Sequence, residues 1–170
     1  HQLGYAADGA PMVPGFQEGV ADDGAGADEN GTWGPWDDAR AVTNQDPALL
    51  AALQAAAVVA EGDGITLRLT SAWRSAQYQQ WLFDRAVADY GSIEEAARWV
   101  ATPDRSAHVQ GLAIDIATTD AYSWLDQYGA QFGLCRTFAN EGWHFELRDV
   151  DENGWCPEML PDASVDPRRW

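Results

Sequence analysis

An α+β domain, a small antiparallel sheet flanked by helices, is the fold class this sequence predicts. Three observations carry that expectation. Segments with helical and with strand periodicity follow one another without the regular strand–helix alternation of a parallel sheet. The last two strand-like segments, 134–138 and 143–147, lie close enough in the chain to be the arms of an antiparallel pair. The chain has 170 residues, 46% of them hydrophobic, which suits one domain with a full core better than two.

Residues 1–45 are rich in Gly, Asp and Ala and show little periodicity, so they read as a loop-rich segment wrapping the main unit, residues 46–170. Trp33 and Trp36 are candidate packing anchors for it, with lining of a groove as the alternative. Asp46-Pro47 reads as an N-cap followed by proline at the first helical position. A buried helix, 48–60, follows and stops near Gly62 and Gly64. The run I-T-L-R-L-T-S, Ile65 to Ser71, alternates apolar and polar residues and predicts a strand. Ser75 can cap a helix that ends at Gly91, and Tyr78 and Trp81 should pack it. Ser92 and Glu95 form a candidate capping box for a short helix through Val100. Leu112 to Ile116 reads as a short buried strand, and residues 121–132 as a helix ending near Gly133. From Asp149 onward the tail is acidic, contains proline and reads as packed loop. No internal repeat is visible.

The charge balance narrows the function. All ten basic residues are Arg, against 27 acidic ones, for a net charge of −17. A chain this acidic repels nucleic acid and anionic membrane surfaces. No stretch is apolar and long enough to span a bilayer. Nine Trp and five Tyr point to large aromatic surfaces, in the core or along a groove. The sequence starts at His1 rather than Met, so a trimmed or mature form is expected, with any signal peptide or anchor outside it. Cys135 and Cys156 are expected to form one disulfide in an oxidising compartment, worth roughly 3 kcal/mol by loop entropy. Two unpaired thiols are the alternative. Nothing suggests an interface, so a monomer is expected.

Two short stretches carry chemistry. Ser106 to Asp115 reads S-A-H-V-Q-G-L-A-I-D, and 141–144 reads E-G-W-H. Apart from the terminal His1, the only histidines of the chain are His108 and His144. Together with Asp115 they make a three-ligand zinc site that leaves one position open. Each of these residues alone could be an ordinary polar group. Asp115, however, lies in the apolar run A-I-D-I-A, where an unpaired carboxylate is costly and a metal would remove the cost. Gly111 lets the backbone between His108 and Asp115 bend tightly. Glu141 can reach water at the open position as a general base without being a ligand. Arg74 has the planar fork that grips a carboxylate through both oxygens.

These stretches resemble the zinc D-alanyl-D-alanine carboxypeptidases of the VanY type, a branch of the LAS-type metallopeptidases. Ser106 to Asp115 matches the pattern S-x-H-x-x-G-x-A-x-D, and Glu141 to His144 matches E-x-W-H. Ser71 to Gln79, S-A-W-R-S-A-Q-Y-Q, is similar to the family's substrate-binding strand-to-helix segment. The likeness runs from about Thr70 to Glu146. It implies His108, Asp115 and His144 as ligands of one zinc ion and Glu141 as catalytic base. Arg74 would bind the substrate's terminal carboxylate or steady the oxyanion, helped by Gln79 and Ser106. Apart from the resemblance, Trp143 is a candidate to flank the substrate, with a core Trp as the alternative. Ala107 departs from many relatives, which carry an acidic residue there, although the position is not a ligand. The implied function is hydrolysis of the terminal D-Ala-D-Ala bond of peptidoglycan stem peptides or precursors, outside the cell or in its envelope. D,D-dipeptidase, L,D-carboxypeptidase and endopeptidase activities on cell-wall peptides are rivals within the same chemistry. A non-catalytic, zinc-stabilised cell-wall binding module is the rival from another class.

Overall fold

Local capping chemistry sets the helix boundaries in the computed structural model, which describes residues 30–169. The first long helix, α2 (Pro47–Gly62), begins where the Asp46 carboxylate accepts the Leu49 amide at 3.2 Å. Leu49, Leu53, Ala56, Ala57 and Ala60 recur at helical spacing and form its buried stripe. Helix α3 (Ala76–Tyr90) starts with the Ser75 hydroxyl accepting the Tyr78 amide at 3.1 Å. It stops at Gly91, whose φ of 84° is left-handed. Tyr78 and Trp81 are buried on it, their rings stacked 5.9 Å apart. Helix α4 (Ile93–Trp99) is capped by Ser92 on the Glu95 amide. The Glu95 carboxylate turns to Arg98 and Trp99, so only one half of the expected capping box forms.

Three expectations are corrected. A short helix, α1 (Arg40–Thr43), interrupts what read as loop. Trp33 is buried and pairs with Leu69, but Trp36 is 61% exposed and anchors nothing in the core. Helix α5 (Thr119–Tyr128) begins earlier than expected because the Thr118 hydroxyl caps it, and its end tightens into a 3-10 turn, Gly129–Phe132. The part of the N-terminal segment preceding residue 30 lies outside the described residues.

Four strands form one antiparallel sheet in the order β1-β2-β4-β3: β1 (Leu69–Ser71), β2 (Ala113–Ile116), β3 (Leu134–Arg136) and β4 (His144–Leu147). The five helices pack around it, as the α+β reading expects. Strand β1 is shorter than its alternating pattern. Its partner β2 ends at Ile116, opposite Leu69, because the chain then turns at Thr118 to start α5, and residues 65–68 find no ladder there. The buried stripe of α2 closes the core against Leu69, Ile114, Ile116, Leu125 and Phe145. At the centre of the sheet Asp115 stands directly opposite His144.

The tail is held at several points. Cys156 is disulfide-bonded to Cys135 on the edge strand β3. Leu160 exchanges backbone hydrogen bonds with the chain around Phe138, Leu160 N to Thr137 O at 2.9 Å and Ala139 N to Leu160 O at 2.8 Å. Asp162 caps a 3-10 turn (Ala163–Val165) and pairs with Arg98 of α4 at 3.2 Å. Among the described residues no helix is long and apolar enough to cross a membrane.

Candidate metal centre and active site

Strand alternation places the central residues. Asp115 and its register partner His144 project from β2 and β4 to the same side of the sheet. His108 joins them from the loop before β2. That loop is folded by a tight turn in which the Gly111 amide donates to the His108 carbonyl at 3.1 Å and Gly111 takes a φ of 75°. A Cβ on Gly111 would lie 2.7 Å from the Asn44 carbonyl oxygen, so only glycine fits both the conformation and the approach to the connection between α1 and α2.

One ligand atom from each of His108, Asp115 and His144 lies within 4.8 Å of the others, and all three residues are buried. His108 Nε2 and His144 Nδ1 each stand 3.2 Å from Asp115 Oδ1. The outer nitrogens are committed. His108 Nδ1 donates to the Ala72 carbonyl at 2.7 Å, and His144 Nε2 pairs with Glu146 Oε2 at 2.8 Å. These bonds leave the other nitrogen of each imidazole facing Asp115 Oδ1. Two imidazole nitrogens and one buried carboxylate oxygen, converging with their tautomers set from outside, form a donor set that fits zinc.

The electrostatics follow from burial and partners. Burial disfavours a charge on Asp115, but the charges and hydrogen bonds of His108 and His144 outweigh it and hold the carboxyl well below the usual range. Burial and the Arg74 charge lower His108. Burial also opposes a charge on His144, yet its bonds to Asp115 and Glu146 push it up to about 10. Glu141, facing the same space, is pushed up to about 7, chiefly by burial, with His144 and Arg74 pulling the other way.

A cavity of about 330 Å³ opens over the cluster. Arg74, Glu141, Trp143, Ser106 and Gln79 all line it, so the structure brings the candidate ligands, base and substrate-binding residues together, whereas Trp33 and Trp36 do not line it. Their roles differ. Arg74 donates to Asp115 Oδ2 at 3.3 Å and to Gln79 Oε1 at 3.1 Å, and its buried Nε–H has no protein partner. Gln79, 1% exposed, spends its amide on Arg74 and on the Ala101 carbonyl at 2.8 Å, so it steadies Arg74. The Ser106 hydroxyl accepts the Val109 amide at 3.3 Å, within the turn that delivers His108. Trp143 is partly exposed at the rim. The far wall is apolar, from Leu82, Phe83, Ile93, Ala97 and Val100.

Three residues of the centre went unnoticed in the sequence. Glu146 is buried and bonded to His144. Arg168 donates to Glu146 Oε1 at 3.1 Å and to Asp166 Oδ2 at 2.6 Å. Only Glu146 left a signal: in H-F-E it sits two residues from His144, on the same face of a strand.

Residues 43–148 match the model of the VanY family, described as D-alanyl-D-alanine carboxypeptidase. A D-alanyl-D-alanine carboxypeptidase of Enterococcus faecalis (strain ATCC 700802 / V583) is 31% identical over 117 residues. That match covers 54% of this chain and 44% of the relative, so it spans less than half of the relative's length. Among solved structures, a glutamate-to-alanine mutant of the vancomycin-resistance D,D-pentapeptidase VanY, from a VanB-type resistance cassette and in complex with Zn(II), superposes with a TM-score of 0.57 at 28% identity. It covers 62% of this chain and 73% of its own. VanYB in complex with D-alanine-D-alanine shares the fold at TM-score 0.58 and 22% identity, over 87% of this chain and 77% of its own.

Proposed function

The chain belongs to the VanY family of D-alanyl-D-alanine carboxypeptidases, and from that premise we propose that it is a zinc-dependent D,D-carboxypeptidase acting on peptidoglycan stem peptides or their precursors. The observation that carries the reading is the buried His108–Asp115–His144 cluster at the floor of a cavity that also presents Glu141 and Arg74. His108, Asp115 and His144 would hold the ion. When bound, zinc supplies Lewis acidity that acidifies water and stabilises negative charge on a carbonyl oxygen.

This chain's own groups do the rest. Arg74, braced by Gln79 and Asp115, grips the terminal carboxylate of the peptide and so fixes which bond is presented. Glu141 takes the proton of the attacking water on its carboxylate and passes it to the amine nitrogen of the departing D-alanine. The apolar wall from α3 and α4 limits water around the reacting bond. An open ligand position and an adjacent base are what a catalytic centre needs and a purely structural zinc site does not, which favours an enzyme over a binding module. The Cys135–Cys156 disulfide supports an extracellular or cell-envelope location.

The test is mass spectrometry of a stem peptide ending in D-Ala-D-Ala, incubated with the protein with and without a zinc chelator. Loss of one alanine, blocked by chelator, is expected. Release of a dipeptide would move the activity to another cell-wall bond. An intact peptide with zinc present would leave a binding module.

A further inference from the structure

We infer that the tail, residues 156–168, completes the metal centre, with Arg168 as the positioning residue that fixes Glu146 and, through it, His144. The inference rests on the reading that the cluster holds zinc. It concerns residues beyond the segment 43–148 that the family model matches.

The geometry is a chain of four side chains. His144 Nε2 meets Glu146 Oε2 at 2.8 Å. Arg168 Nη1 donates to Glu146 Oε1 at 3.1 Å, and Nη2 stands 3.5 Å from Oε2. Asp166 then grips Arg168 three times: Nε to Oδ1 at 2.9 Å, Nη2 to Oδ2 at 2.6 Å, and the Arg168 backbone amide to Oδ1 at 3.0 Å. Both carboxylates are buried, with side chains 3% and 1% exposed. The Arg168 side chain that bridges them is 29% exposed.

The consequence for His144 is specific. A glutamate side chain has several rotors, and an imidazole held by it alone would share its freedom. With both Glu146 oxygens engaged by Arg168, the acceptor for Nε2–H stays in place. Nδ1 is then the nitrogen left facing Asp115 and His108. Asp166 and Ser164 also line the cavity, so the same segment supplies part of the substrate wall.

The experiment measures zinc affinity by chelator competition on metal-free wild type, Arg168→Gln, Arg168→Lys and Asp166→Asn. It also records the visible spectrum of each cobalt(II)-loaded form, with circular dichroism and melting as fold controls. Arg168→Gln should bind zinc about 10- to 100-fold more weakly and shift the cobalt spectrum, and Arg168→Lys should recover part of both. A folded Arg168→Gln protein with wild-type zinc affinity and an unchanged cobalt spectrum would overturn the inference, even if its Tm fell. Should Arg168→Gln not fold, Asp166→Asn carries the test: weaker zinc binding supports the inference and unchanged binding overturns it. A wild type that takes up no zinc would overturn the functional reading beneath both.

Discussion

Replacing Glu141 with Gln changes almost nothing in shape and removes one capability, taking up a proton. The residue lines the cavity but is not among the converging ligand atoms, so zinc content should be kept. A positioned general base contributes about 10²- to 10⁴-fold in rate, which corresponds to about 2.7–5.4 kcal/mol of barrier. Alanine release from a D-Ala-D-Ala stem peptide should fall by that factor at unchanged zinc stoichiometry. The pH profile gives a second readout. Burial pushes Glu141 up to about 7, and a bound cation draws it back down. A base works only when deprotonated, so wild-type kcat/KM should rise with pH through a limb at or below about 7 and then level off. Glu141→Gln should lose that limb along with the rate. A Gln variant that keeps zinc and more than a tenth of wild-type turnover would refute the assigned role.

Four further outcomes follow from the same geometry. Arg74→Lys keeps a positive charge but loses the fork, and kcat/KM on a free-acid stem peptide should drop about 10- to 100-fold, as expected for one charge-assisted contact of about 1.5–3 kcal/mol. The drop should be absent on a substrate amidated at its C-terminus. Gly111→Ala must accept a φ of 75° and a Cβ 2.7 Å from the Asn44 carbonyl, costing about 1–3 kcal/mol for the backbone alone, so its Tm should fall by roughly 3–10 °C. Reducing Cys135–Cys156, which closes a loop over a separation of 21 residues, should cost about 3 kcal/mol on the loop-entropy account, read as a lower denaturation midpoint. In the metal-free protein His144 is pushed up to about 10, above an unfolded value near 6.5. Its contribution to stability is then complete below about pH 6.5 and fades as pH rises through about 10. Zinc requires the neutral ring, so uptake at pH 7 should release about one proton from it. Calorimetry in buffers of different ionisation heat should show that proton, and a release of zero would contradict the reading.

What could be read in the sequence was local. Asp46, Ser75 and Ser92 cap helices where their spacing said they would, because a cap needs only an acceptor and the next three residues. The two motif stretches were legible because two of the three histidines of this chain are in them. The shortening of β1 was not legible, since alternation describes one strand and the ladder depends on where its partner ends. Trp36 misled because its neighbour Trp33, with the same chemistry, is the one that meets Leu69. Arg168 was invisible for a plainer reason. Its partner Glu146 lies 22 residues away, and no periodicity links a tail guanidinium to a strand carboxylate.

Asp115 and His144 are register partners on the two central strands, so their separation is a property of strand pairing. A slip of one residue between β2 and β4 would send one of them to the opposite face of the sheet. A cation that binds both side chains therefore rewards a single alignment of the two strands and penalises every other. Metal occupancy and opening of the sheet become one equilibrium, and local opening of β2 from β4 requires release of the ion. Amide hydrogens at the centre of that pair should exchange with solvent more slowly as zinc concentration rises.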